Sequence, residues 1–271
     1  MIFLQGRPIL RTSRIQSISS RNISMPTRAI VKNNRRWKVD NQDAAFWDRV
    51  ENDSWEPHTF SIFDRFLDAE HSYLDVGAWI GPTVLYGAFL ARHCYAMEPD
   101  PLAYSRLREN VELNASIKNR ISLSTQCLAS TCGPVRLGNK TSSIGGDSMS
   151  SLLFADGQVN WQVEGVTLER FFLDNHICDC SFIKMDIEGA EFDVLPAIAG
   201  YLAEHRPTLY LSLHPRFLAE PESKTAAIKK VLEGYRHVYT TELQPSRAEI
   251  LCDPTTFQWC YELIFSDLNC F

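Results

Sequence analysis

At 271 residues, 45% apolar and 22% charged, the chain has an ordinary globular balance and enough length for one large domain or two small ones. No run approaches the roughly 18 apolar residues a membrane helix needs, so no helical span is expected. Eight of the 27 basic residues and none of the 33 acids fall in residues 1–36, leaving 19 bases against 33 acids in the remainder. An acidic body argues against nucleic acid as the main partner, because phosphates require clustered Lys and Arg.

Residues 1–36, rich in Ser and Arg, have the composition of an organellar transit peptide, and equally that of a disordered basic tail. The expected location is the cytoplasm, or an organelle if this segment is a targeting signal. The eight cysteines contain no CxxC pair, and Cys178-x-Cys180 stands alone. They read as small buried thiols in a reducing compartment, and no metal site is expected from them.

Residues 37–70 read as a helical cap. "DNQDAAFWDRV" (40–50) and "PHTFSIFDRFL" (57–67) are amphipathic, and Phe60, Phe63, Phe66 and Leu67 share one face. Pro57 suits a first helical turn. From 71 to 271 strands and helices alternate. Tyr73–Val76 is a strand, and Pro82 opens a helix with Val84, Leu85, Ala88 and Phe89 on one face. Cys94–Met97 is the second strand. Asp100 caps the next helix, with Leu102, Leu107 and Val111 as its buried stripe. Ile121–Cys127 is the third strand. Residues 133–160 read as a Gly/Ser-rich excursion with a short "PVRL" strand. Phe182–Asp186 is the fourth strand, Glu188–Leu202 a helix, 208–213 the fifth strand and 226–235 a helix. "HVYTTEL" and "TFQWCYELIF" leave no room for a helix between them and predict an antiparallel hairpin. This order predicts a doubly wound α/β fold with a mostly parallel sheet.

Ligands of such sheets bind beyond the carboxyl ends of the strands. "YLDVGAWIGPT" (73–83) ends its strand at Asp75, turns at Gly77 and reaches Gly81 before the helix. This D-x-G-x-x-x-G lacks the spacing of the dinucleotide fingerprint. Glu98 ends the second strand, where an acid can accept hydrogen bonds from both hydroxyls of a ribose. A nucleoside-bearing ligand follows, either a nicotinamide cofactor or S-adenosylmethionine, and the missing phosphate turn favours the second.

Four segments, "YLDVGAWIGPTVLYGA", "CYAMEPDPLAYSRLRENVELN", "VTLERFF" and "FIKMDIEGAEFDVL", resemble FkbM-type S-adenosylmethionine-dependent methyltransferases, from about residue 40 to 265. The resemblance implies a class I methyltransferase domain with a seven-stranded sheet closed by an antiparallel hairpin. It implies that Asp75, Gly77, Ala78 and Gly81 line the methionine and ribose of the cofactor and that Glu98, followed by Pro99, holds the ribose. Leu128-Ala129-Ser130 would pack near adenine. It further implies an O-methyltransferase acting on a sugar or polyketide hydroxyl.

Methyl transfer from a sulfonium needs an aligned acceptor oxygen and a group to take its proton. "IKMDIEGAE" (183–191) supplies Asp186, Glu188 and Glu191 within six positions. Asp186 ends its strand and Lys184 shares its face, either orienting it or simply pairing with it. Glu188, beside Gly189, is expected at the pocket. Glu191 does no more than favour a helix start. His214 ends strand five and serves as base, as donor, or only as a satisfied strand-end residue. Asp186, Glu188, His214 and Lys184 are thus the expected catalytic set, with Asp186 also near the cofactor. A divalent ion is a further way to lower the hydroxyl pKa, unsupported by any ligand spacing. Trp79 and residues 143–153 are expected to shape the acceptor pocket, the latter as a lid or an ordinary surface loop. Competing readings are a nicotinamide-dependent oxidoreductase and a non-catalytic nucleoside-binding module.

Overall fold

The structure, a computed structural model, describes residues 26–270. It opens with an antiparallel hairpin, β1 (Thr27–Lys32) and β2 (Arg35–Asp40). The basic segment expected to end at residue 36 therefore overlaps folded structure by ten residues, and residues 1–25 lie outside the description. The charges that made this stretch look like a tail have partners in the two helices that follow. Arg28 pairs with Asp48 (2.7 Å) and Glu51 of α1 (Ala44–Glu51), and Lys32 pairs with Asp53 just beyond it. Arg35 pairs with Asp64 of α2 (Thr59–Phe66) at 3.0 Å. Trp37 and Val39 alternate inward, and Trp37 packs against Phe60, Tyr86 and Phe89.

The αβ alternation then runs through β3 (Ser72–Val76), α3 (Pro82–Gly87), β4 (His93–Met97), α4 (Pro101–Glu112) and β5 (Ile121–Ser124). Asp100 caps α4, accepting from Leu102 and Ala103 N–H groups. Leu102, expected in the buried stripe, is an exposed residue, and Ala103, Leu107, Asn110 and Val111 face inward. Asn110 and Asn114 clamp the front hairpin to this helix. Asn110 Oδ1 accepts from Asp40 N (2.7 Å), and Asn114 both accepts from and donates to the Lys38 backbone (2.7 Å each). Buried amides with such full partnering hold one strand register and no other.

The expected excursion is a second sheet. It comprises β6 (Cys127–Leu128), β7 (Gly133–Asn139), β8 (Ser150–Ser151) and β9 (Val159–Val166) in the order β6-β9-β7-β8. The anticipated strand 121–127 is split between the two sheets. After α5 (Leu168–Asp174) come β10 (Cys180–Met185), α6 (Glu191–Ala197) and α7 (Ala199–His205). The single helix expected over 188–202 is thus two, broken at Ile198 just after Pro196, where a missing N–H and a ring clash interrupt helical bonding.

The chain closes with β11 (Thr208–Leu213), α8 (Pro221–Leu232), β12 (His237–Tyr239), β13 (Pro245–Ser246) and β14 (Tyr261–Ser266). The main sheet has eight strands rather than the expected seven, in the order β13-β12-β14-β11-β10-β3-β4-β5. β14 inserts antiparallel between β11 and β12. A tight hairpin does not form, because residues 240–260 hold β13 and two 3₁₀ turns between the strands. The result is an α/β Rossmann-like sheet whose crossover reverses at β3, with β10 on one side and β4 on the other.

Candidate active site

The carboxyl ends of β3, β4, β10 and β11 open into a cavity of about 580 Å³. The turn after β3 forms one wall. Gly77 and Ala78 N–H groups both donate to Met97 O (3.1 Å), and Asp186 N donates to Val76 O (3.0 Å), so this turn is fastened to β4 and β10 together. Gly77 has φ +87°, and a Cβ there would lie 1.9 Å from the Asp186 carbonyl oxygen. Only glycine fits this approach.

Glu98 stands at the end of β4, 6% exposed and on the cavity wall. Oε2 accepts from Trp79 N (2.7 Å) and Oε1 from Asp100 N (2.8 Å). Burial pushes its pKa up to about 8, against the pull of these two donors. Each oxygen keeps a lone pair for a ligand hydroxyl. Pro99, Ala78 and Cys127 continue this side of the wall.

Four residues expected at the cofactor lie behind it. Asp75 is fully buried; its Oδ2 accepts from Thr83 Oγ1 (2.6 Å) and from the Tyr73 hydroxyl, and its Oδ1 has no hydrogen-bond partner. Lys184 Nζ stands 4.0 Å from that Oδ1, so Asp75 acts on the cavity through Lys184. Gly81, at φ +90°, packs the turn onto α4, where a Cβ would meet Leu107 at 2.6 Å. Leu128 and Ala129 point into the core, and the wall residue of that stretch is Cys127.

The opposite wall carries the acidic turn. Asp186 is flanked by Lys184 Nζ at 3.4 Å and His214 Nε2 at 3.7 Å. Burial works to lower the Lys184 pKa, but Asp186, Asp75, Glu56 and Glu262 outweigh it and hold the ammonium firmly charged. Glu188, at φ +53°, turns inward, and its Oε2 stands 3.5 Å from His214 Nε2 with no hydrogen-bond partner. Burial, the largest influence, raises the Glu188 pKa to about 7. His214 is buried, stacks on Phe217 (5.8 Å, 9°) and contacts Glu191 Oε1 through Nδ1 at 3.1 Å. Burial would lower its pKa, yet Cys260, Glu191 and Asp186 together push it up to about 11. Of the two chemical roles open to His214, this electrostatics favours the donor over the base.

Glu191 does more than favour a helix start. It is fully buried, and its two oxygens accept from Ile187 N and Gly189 N (2.8 Å each). It therefore shapes the turn that carries Glu188 and also holds the His214 ring. The signal was its place at the first position of α6, where a carboxylate can reach back to free N–H groups.

Glu56, in the turn between α1 and α2, and Glu262, a lone acid in the apolar strand β14, also line the cavity, and neither carried a further sequence signal. Thr59 Oγ1 donates to Glu56 (2.9 Å), Tyr210 OH donates to Glu262 (2.9 Å), and the two hydroxyls meet at 2.7 Å. Burial raises both carboxyls, with repulsion from Glu262 adding to it at Glu56, which reaches about 8, and repulsion from Asp186 adding to it at Glu262. The Gly/Ser-rich stretch contributes Ser148, Ser150, Ser151 and Leu152 to the wall. It is anchored: Asp100 Oδ2 accepts from Gly146 N (2.8 Å) and Ser150 Oγ (2.7 Å), and the Trp79 indole donates to Gly146 O (3.0 Å).

A family model described as "Methyltransferase FkbM domain" matches residues 75–241. No curated protein matches the chain in sequence. Among solved structures, an FkbM methyltransferase of Methylobacillus flagellatus KT is 15% identical, covers 83% of this chain and superposes with a TM-score of 0.47. This chain spans 61% of the length of that protein. A precorrin-6y C5,15-methyltransferase of Geobacter metallireducens GS-15 is 11% identical over 79% of this chain and 88% of its own, TM-score 0.43. P. horikoshii TYW2 in complex with MeSAdo is 13% identical over 88% and 69%, TM-score 0.42. At these scores the likenesses add no weight to the family match.

Proposed function

The chain belongs to the FkbM methyltransferase family, and on that premise we propose that it is an S-adenosylmethionine-dependent O-methyltransferase acting on a hydroxyl of a small polar compound, of the sugar or secondary-metabolite kind. The observation that carries the proposal is a single cavity with Glu98 on one wall and Asp186, Glu188 and His214 on the other. A volume of about 580 Å³ falls in the range of small-molecule and cofactor sites. Its carboxylates would repel a phosphate backbone, which supports a small acceptor.

The cofactor, when bound, supplies an electrophilic methyl group on a sulfonium. Glu98 accepts the ribose hydroxyls, and the Gly77–Trp79 turn backs the methionine portion. Across the cavity Asp186 takes the acceptor proton, an effect worth about 10²–10⁴-fold in rate. Lys184 fixes the direction of its carboxylate. His214 donates a hydrogen bond, and Glu191 keeps the ring in place. Glu191 itself is no base, since both its oxygens are engaged by backbone donors.

Calorimetry with S-adenosylmethionine, its demethylated product and NAD tests the cofactor half. A screen with labelled methyl donor over sugars and phenolics tests the transfer. Binding of NAD in preference to S-adenosylmethionine would refute the reading. Cofactor binding with no transfer to any acceptor would favour a non-catalytic module.

A further inference from the structure

Glu56, Thr59, Tyr210 and Glu262 form a continuous chain of oxygen contacts. Glu56 Oε2 meets Thr59 Oγ1 at 2.9 Å, Thr59 Oγ1 meets Tyr210 OH at 2.7 Å, and Tyr210 OH meets Glu262 Oε2 at 2.9 Å. Each contact has hydrogen-bond length and needs one hydrogen, whereas the two hydroxyls bring only one each. With both carboxyls ionised, each hydroxyl would face its own carboxylate, and the 2.7 Å contact between them would set lone pair against lone pair. Thr59 and Tyr210 are buried, so no water enters the chain to fill the gap. The third hydrogen has to sit on a carboxyl. The chain then donates in one direction from end to end, and the contact at the protonated end reverses its sense. The surrounding charges agree. Lys184 Nζ is already held by Asp186 (3.4 Å) and Asp75 (4.0 Å), and among the described residues neither Glu56 nor Glu262 has an ion-pair partner. Glu56 faces Glu262, Lys184 and Asp186, and Glu262 faces Asp186, Lys184 and His214. Burial is the largest influence on both carboxyls and favours the neutral form.

We propose that Glu56 and Glu262 share a single proton through Thr59 and Tyr210, and that this pair determines acceptor specificity, selecting an uncharged polyol. Its place in the fold suits that role. Glu262 on β14 pairs in register with Ser212 on β11, and both line the cavity. Asp186 follows β10, the next strand, and Glu98 lies beyond β3 at the end of β4. In strand order Asp186 thus separates the carboxyl pair from the ribose position. The shared proton is spent inside the chain, and the Oε1 of each carboxyl takes no part in it. Each Oε1 is therefore a hydrogen-bond acceptor, and the two residues carry one negative charge between them instead of two. Two acceptors with one charge suit the hydroxyl donors of a neutral polyol. A second full charge would favour an ammonium group, and an anionic acceptor is repelled in either state. The acceptor role rests on the proposed function; the shared proton does not.

Infrared difference spectra of the full chain near neutral pH count the proton, since only a protonated carboxyl shows a carboxylic-acid carbonyl band. Glu56→Gln and Glu262→Gln should each lose one equivalent of that band, and the double variant should still lose only one, because either amide supplies the third hydrogen and ionises the partner. No loss in the single variants, or twice the loss in the double, overturns the shared proton. Both single substitutions keep the chain filled, so a single variant that fails to fold in a thermal melt also contradicts it. Labelled methyl transfer to glucose, myo-inositol, glucosamine and glucuronate tests the acceptor. Transfer is expected to the first two, with KM raised about tenfold or more in Glu56→Ala and Glu262→Ala. The Gln variants should restore KM to within about threefold of wild type, with kcat little changed throughout. Preference for glucosamine or glucuronate, or equal KM in the Ala and Gln variants, overturns the specificity role. Titration with S-adenosylhomocysteine separates the two readings. If it binds and neither polyol is methylated, the acceptor class falls and the methyltransferase reading stands. If it does not bind, that reading falls together with the acceptor role, and the infrared count still decides the shared proton.

Discussion

If Glu98 receives the cofactor ribose as proposed, cofactor binding to the wild-type protein will depend on pH, and Glu98→Gln will abolish that dependence. In the free cavity burial raises the Glu98 pKa to about 8, yet a ribose diol donates hydrogen bonds and is best received by the carboxylate form. Binding therefore pulls a proton off Glu98. At pH 7 about one site in ten is ionised, so affinity is about tenfold below its value at pH 9, or about 1.4 kcal/mol. Over the same interval, close to one proton is released per ligand at pH 7 and nearly none at pH 9. Calorimetry with S-adenosylhomocysteine in two buffers of different ionisation enthalpy reads both quantities. Glu98→Gln flattens the profile and weakens binding at pH 9 by the roughly 1.5–3 kcal/mol of a charged hydrogen bond. Glu56→Gln serves as the control, because Glu56 shares the high pKa and the cavity but not the ribose position. A flat wild-type profile, or a slope that survives in Glu98→Gln and vanishes in Glu56→Gln, refutes the assignment.

Three further outcomes are expected. Gly77→Ala meets the Asp186 carbonyl and a positive φ at once, so denaturant midpoints will show a loss of about 3 kcal/mol or more, or no folded protein at all; a loss under about 1 kcal/mol would contradict the close approach. Lys184→Met leaves the buried Asp75 and the neighbouring Asp186 without their shared cation, at a cost of about 3–5 kcal/mol by urea titration at pH 7. Protonating the orphaned acids should recover part of this loss at pH 5, and equal loss at both pH values would count against an electrostatic cause. Asp186→Asn lowers turnover about 10²–10⁴-fold while S-adenosylhomocysteine affinity stays within about threefold; an equal fall in both would place Asp186 in cofactor binding alone.

The strands that build the site were legible because each is a short apolar run stopped by a polar residue. β3, β4, β10 and β11 lie within two residues of their expected limits, and the Asp100 cap lies where the sequence puts it. What was hidden depended on partners distant in the chain. β1 and β2 alternate correctly, but their basic residues looked like a tail until Asp48, Glu51, Asp53 and Asp64 were placed beside them. β7 and β9 pair with each other across a loop, and the Gly/Ser-rich sequence of that loop masked a regular sheet. At the site, Asp186, Glu188, Lys184 and His214 were chosen from strand ends, and the structure brings all four to the cavity. Asp75 illustrates the converse. A strand-end acid is identifiable from sequence, but the face it turns to depends on Thr83 and Tyr73, which claim one of its oxygens.

The ion pairs of the front hairpin bear on how this chain tolerates shortening. By composition, the basic segment ends at residue 36. A protease cutting there would remove all of β1 and the first two residues of β2. It would also strip the cations from Asp48, Glu51, Asp53 and Asp64 and loosen the helices that flank Trp55 and Glu56, two residues of the cavity wall. A truncation that keeps these ion pairs must therefore start ahead of Thr27, so the limit to shortening is set by the hairpin's partners and not by the run of arginines.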